Sequence, residues 1–110
     1  MATKRTIAHT ITGTLTDTYQ VPEHKLAEIQ LMYVKNTGGS TGSYTLTYYD
    51  DSETASINIL DNTTIASKES FQFGGPPGEC LILEENDKIQ VSGTTAGSIF
   101  ITVTEHNSNR

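Results

Sequence analysis

The stretch YQVPEHKLAEIQLMYVKN, Tyr19 to Asn36, followed by the glycine- and serine-rich TGGSTGS of Thr37 to Ser43, decides the fold. Pro22 has no backbone donor and a fixed φ, so it ends whatever pairing precedes it. From Lys25 to Lys35, Ala27, Ile29, Leu31 and Tyr33 hold one parity while Met32 and Val34 hold the other. One strand face cannot take both sets, so either the strand is buried on both sides near its end or a β-bulge around Gln30 to Met32 shifts the register, and the bulge is the preferred reading. A strand, a turn, a long strand and then a hairpin loop at Thr37–Ser43 are the opening of an antiparallel β-sandwich rather than of a catalytic α/β fold.

Upstream, Ile7, Ile11, Leu15, Tyr19 and Val21 share one parity and threonines at 10, 12, 14, 16 and 18 the other, the period of a half-buried strand. Gly13 marks a bend that divides this segment into two strand pieces. Downstream, Tyr44, Leu46 and Tyr48 alternate with Thr45, Thr47 and Tyr49, and the acidic turn Asp50–Glu53 returns the chain into Ala55–Leu60 as a β-hairpin. Further turns are expected at Asp61-Asn62 and Ser67-Lys68, with Ile65 as an apolar anchor between them. A short strand with Phe71 and Phe73, the loop Gly74–Gly78, and strands around Cys80–Leu83, Ile89-Gln90-Val91 and Ile99–Val103 complete the pattern. No stretch of good helix formers holds a helical period. The expected fold is therefore all-β: an antiparallel β-sandwich, jelly-roll-like or another Greek key, of about eight short strands.

With 110 residues the chain fits one domain, residues 1–110, with residues 1–6 as a flexible N-terminal arm. A net charge of −6, with Lys4-Arg5 the one basic pair, argues against a nucleic-acid partner. A hydrophobic fraction of 35% without Trp is lean for a self-sufficient core, which favours oligomerisation. The first residues lack the apolar core of a secretory signal, and no apolar run approaches the ~20 residues of a membrane-spanning helix, so a soluble product of the cytoplasm is expected. Cys80, the lone cysteine, has no partner for an intramolecular disulfide and reads as a small buried apolar residue.

Chemistry is sparse. His9, His24 and His106 are far apart and fall in no metal-ligand spacing. The acidic turns at 50–53 and 84–87 do not follow a calcium-loop pattern and read as charges that keep hairpin tips wet. No nucleophile elbow or phosphate loop occurs, Asn62-Thr63-Thr64 reads as an ordinary turn, and Phe71, Phe73, Tyr48 and Tyr49 read as core. The expectation is a protein that is not an enzyme and takes no cofactor or metal.

Taken together, YxVPExK at Tyr19–Lys25, AEIxLxYVKN at 27–36, the glycine/serine/threonine loop, the Leu60-Asp-Asn turn and LILEENDKIQVSG at 81–93 resemble small β-sandwich structural proteins of tailed bacteriophages. The likeness spans about residues 15 to 105, and the family's usual glycine before Asp87 is replaced by Asn86, which tolerates the same left-handed geometry. The resemblance implies a virion component, foremost a capsid decoration or cement protein that binds the major capsid protein lattice. The alternative it implies is a neck, tail, baseplate or fibre module, with loops that recognise glycans or a receptor. A homo-oligomer, possible as a trimer, is expected in either case. The residues expected to contact a partner are Lys4 and Arg5, on an arm that swaps onto a neighbour or lies on an acidic capsid surface.

Overall fold

The structure, a computed structural model, describes residues 3–74 and 81–107. The strands among them are β1 Thr3–Ile11, β2 Thr16–Gln20, β3 Lys25–Asn36, β4 Gly42–Asp50, β5 Ala55–Ile65, β6 Ser70–Gly74, β7 Leu81–Leu83, β8 Lys88–Gly93 and β9 Gly97–Asn107. All pair antiparallel. One sheet runs β1-β9-β3-β6 with β7 also on β3, and the other β2-β8-β4-β5. Because β6 pairs with Leu31–Lys35 and β7 with Ala27–Ile29, the two short strands share one flank of β3. Two facing sheets, each with four strand positions in this order, form a jelly roll of two Greek keys.

The bulge in β3 falls at Gln30, where pairing with β9 skips from Ile29 to Leu31. It lets β3 bury Ala27 and Ile29 before it and Met32 and Val34 after it, so both parities reach the same core. Opposite the bulge, Gly74 has φ of 82°, and a Cβ there would collide with the Gln30 carbonyl. The core between the sheets is aliphatic: Ile29, Met32, Val34, Ile99, Ile101 and Val103 face Tyr44, Leu46, Ile89 and Val91, all fully buried. Each such side chain contributes about 1.5–3 kcal/mol when removed from water.

The topology corrects several expectations. Thr37–Ser43 is not a hairpin tip, because it carries the chain from β3 in one sheet to β4 in the other. Asp61-Asn62 is not a turn but an irregularity inside β5, with Asn62 at φ of 51°. Leu15 lies in the β1–β2 crossing and is 45% exposed, so its parity match is accidental. Residues 3–6, expected in a free arm, pair with Thr102–Glu105 of β9. The β4–β5 hairpin and the break at Gly13 stand as read from the sequence. Cys80 and most of the Gly74–Gly78 loop lie outside the described residues.

One end of the sandwich is organised by Asn36, which is wholly buried. Its Nδ2 donates to the carbonyls of Ser40 and Ile65, both at 2.9 Å, and its Oδ1 accepts from Gly38 N at 2.9 Å. Tyr44 packs beside it against Gly93, where a Cβ would come within 2.5 Å of the ring, and its hydroxyl donates to the Ala96 carbonyl at 2.9 Å. Asn36→Ala should cost about 3 kcal/mol, since it orphans buried backbone groups, and Gly93→Ala about 1–3 kcal/mol through overpacking. Chemical denaturation of the two variants checks both values.

Candidate interaction surface

Among the described residues, ionisable side chains gather at several places, three of them around Glu105, Asp87 and His106. In the first, Glu105 of β9 is 7% exposed and its Oε2 accepts from the Tyr19 hydroxyl at 2.5 Å and from Arg5 at 3.1 Å. β1, β9 and β2 are thereby tied across the two sheets. Burial pushes the Glu105 carboxyl upward, but the Tyr19 hydroxyl and the Arg5 guanidinium outweigh it and hold it below the ordinary 4.5. Burial, then the neighbouring Glu105, pushes the Tyr19 phenol well above its ordinary value.

In the second, Asp87 is almost fully buried and accepts from the Tyr48 hydroxyl at 3.2 Å, Asp51 N at 2.9 Å and Glu84 N at 2.9 Å. Its own carbonyl accepts from Val21 N at 3.0 Å. Asp87 thus joins the β4–β5 tip and the β7–β8 crossing through its carboxylate and the β2–β3 crossing through its carbonyl. The segment 84–87 was expected to wet a hairpin tip; instead it connects two sheets, with Asp87 turned inward. Burial and the field of Asp87 and Asp50 push the Tyr48 phenol up to about 12. The third is the His106–Glu28 pair, 2.5 Å apart on the outer face of the five-stranded sheet.

Lys4 and Arg5 do not form a joint basic patch. In β1, Lys4 stands across from Thr104 on the outer face, while Arg5, across from Val103, turns toward Glu105 and lies 6.0 Å from the Tyr19 ring centroid. The three histidines stay apart: His9 lies across from Ile99, His24 sits in the β2–β3 turn at φ of 64°, and His106 pairs with Glu28. Among the described residues no group of three or more His, Cys, Asp or Glu side chains could hold a metal ion. Of two open recesses, one of about 490 Å³ is lined by Ser, Thr and Asn with no ionisable side chain. The other, of about 410 Å³, has only His9 as a titratable lining residue. Neither brings an acid to a base.

The two outer faces differ in composition. On the five-stranded sheet, the residues that alternate with the core include the apolar Leu26, Leu31, Tyr33, Ile82 and Phe100 together with the polar Lys4, Thr6, Glu28, Thr102, Thr104 and His106, bonded as Thr6 to Thr102, Thr104 to Gln30 and His106 to Glu28. Ile82 is 47% and Phe100 41% exposed, and Tyr33 stands directly across from Phe100. On the four-stranded sheet the matching positions are Asp17, Gln20, Lys88, Gln90, Thr45, Thr47 and Tyr49, bonded among themselves through Gln90 to Asp17 at 2.8 Å and a Lys88–Asp17 ion pair at 3.4 Å. Tyr49, expected in the core, belongs to this polar face under Lys88, 5.5 Å from its ring centroid, whereas Phe71, Phe73 and Tyr48 do pack against the core. Tyr33 and Phe100 thus form an apolar pair within a mixed outer face, and large apolar side chains are also exposed elsewhere, Leu15 in the β1–β2 crossing and Ile57 of β5 at 60%.

No family model matches the chain, and no curated protein matches it. Among solved structures, it is similar to Bacillus endospore appendages described as a family of disulfide-linked pili, with 17% identity over 99% of this chain and 88% of that chain and a TM-score of 0.58. A looser likeness, with 12% identity over 99% and 81% of the two chains and a TM-score of 0.44, is to the virus-like particle of the extra small virus of the giant freshwater prawn Macrobrachium rosenbergii. The first likeness shows a shared fold along the whole sandwich. No helix among the described residues is long and apolar enough to cross a membrane.

The raised phenols of Tyr19 and Tyr48 predict a loss of stability at alkaline pH. A phenol whose folded value is raised stabilises fully below the ordinary 10.0 and loses that contribution as pH climbs, for Tyr48 between 10.0 and about 12. Glu105 has the opposite sign, contributing above the ordinary carboxylate value and failing as pH drops through its depressed one. Thermal melts against pH should fall at both extremes. Tyr48→Phe should flatten the alkaline limb, and Tyr19→Phe should move the acid limb to higher pH.

Proposed function

We propose that this chain is a non-enzymatic structural protein that docks onto a protein lattice through the Tyr33–Phe100 region on the outer face of its five-stranded sheet. The observation that supports this reading is the apolar pair of Tyr33 and the exposed Phe100, with Leu31 beside it, on the outer face of that sheet. Several ionisable groups, Glu105, Arg5 and Asp87 among them, hold strands together, and shape and apolar area are the proposed means of action. On the sequence resemblance, the finer role is that of a virion component, a decoration or cement protein that covers and tightens a capsid lattice. Placement in a neck, tail, baseplate or fibre is the alternative within the same class.

A second reading has a specific support. The appendage structure aligns with 99% of this chain, and its subunits are described as forming pili, so a filament built from copies of this chain uses the same scaffold. Self-assembly then replaces docking on a foreign lattice.

Electron microscopy and sedimentation of the purified chain, alone and with empty capsids, separate the two. Capsid binding by a small oligomer supports the decoration role, and rods or fibres of the chain alone support the filament. In either case Phe100→Asp should weaken assembly by at least about tenfold, with stability within about 0.5 kcal/mol of the parent as for other surface substitutions. Unchanged assembly by Phe100→Asp, with Ile82→Asp added, would remove this face from the function.

A further inference from the structure

The larger recess lies where the β1–β2 and β8–β9 crossings meet the outer side of β4 and β8. It has a volume of about 490 Å³, within the usual range for small-ligand sites. Its polar walls are Ser43, Thr45, Asn62, Ser92, Thr94 and Thr95. Among the described residues no charged side chain lines it. A site without charge gains nothing from an ion and would leave an ionic ligand desolvated without a partner. Hydroxyls and a carboxamide suit a neutral ligand that donates and accepts at many points.

Several of these groups are set for a ligand. Thr45 Oγ accepts from Asn62 N at 3.2 Å and Thr94 Oγ from Ser43 N at 2.9 Å, so both hydroxyls keep their protons to donate outward. Among the described residues the Ser92 and Thr95 hydroxyls and the Asn62 carboxamide have no protein partner. Asn62 reaches the recess from a left-handed backbone, φ of 51°, an uncommon conformation held by the irregularity in β5. Ile11, Ala96 and the threonine methyls supply apolar patches for C–H groups.

The frame is rigid. Thr94 N donates to Ser43 O at 2.9 Å, Gly93 N to Thr12 O at 3.0 Å, and the buried Tyr44 hydroxyl holds the Ala96 carbonyl at 2.9 Å. Binding groups that are already fixed lose little freedom on capture.

We propose that this recess binds a neutral sugar, such as a terminal hexose of a surface glycan. The site opens on the four-stranded sheet, away from Phe100 and Ile82, so a copy docked through the Tyr33–Phe100 region keeps the recess toward solvent. The assignment does not rest on the docking reading.

The test is an NMR titration of the full ¹⁵N-labelled chain with glucose, galactose, mannose and N-acetylglucosamine, with N-acetylneuraminic acid as the acidic comparator. At least one neutral sugar should give saturable shifts at Thr45, Asn62 and Ser92–Thr95 in the millimolar range. Asn62→Gly keeps the left-handed backbone while deleting the carboxamide, and should weaken that binding about fivefold to tenfold, as loss of one or two ligand hydrogen bonds would. Ser92→Ala should act in the same direction, and Phe100→Asp should leave the titration unchanged. No saturable shift with any neutral sugar, a preference for the acidic one, or binding unaffected by both recess variants overturns the proposal. The same spectra report whether each variant is folded.

Discussion

Nearly every connection in this molecule passes the chain from one sheet to the other, and the backbone must turn those corners without stranding polar groups inside the sandwich. This constraint governs the rest. The aliphatic layer supplies the drive for the sheets to meet, but only if both ends close cleanly. Asn36 closes one end by satisfying Ser40, Ile65 and Gly38, and Asp87 closes the other by receiving Tyr48, Asp51 and Glu84. Two short polar side chains therefore fix the corners between which a modest core suffices.

What could be read from the sequence was what depends on parity. The alternation in β4 and β9, the hairpin at Asp50–Glu53 and the conflict of parities that puts a bulge at Gln30 are local facts about which side chains share a face. What could not be read depends on partners distant in the chain. Thr37–Ser43 has the composition of a hairpin loop, yet whether such a loop closes a hairpin or spans two sheets is decided by pairings such as β3 with β9 and β4 with β8. Arg5 looked like half of a basic pair because Glu105 is 100 residues away. Asp87 looked like a surface charge because its donors come from Tyr48, Asp51 and Glu84. The one hint of its role was the Asn86-Asp87 pair, in which Asn86 does take a left-handed φ of 70°.

Apolar side chains left over from the core are exposed at several places, among them Phe100 beside Tyr33 on the outer face of the five-stranded sheet, Leu15 in the β1–β2 crossing and Ile57 of β5. The four-stranded sheet spends its outer positions in β2, β8 and β4 on amides, hydroxyls and a few charges that bond among themselves. Acidic net charge adds mutual repulsion between copies in solution.

The pairing of Thr3 with Glu105 has a mechanical consequence. The chain enters β1 and leaves β9 side by side at the same end of one sheet. Tension applied through those two points would part the ladder like a zipper, one rung after another, instead of sliding many rungs at once. Resistance would be met first at the Arg5–Glu105–Tyr19 tie, the one cross-link near that end that also reaches the second sheet. A particle or fibre that strains its subunits would do best to grip them across their faces and leave these two strands slack.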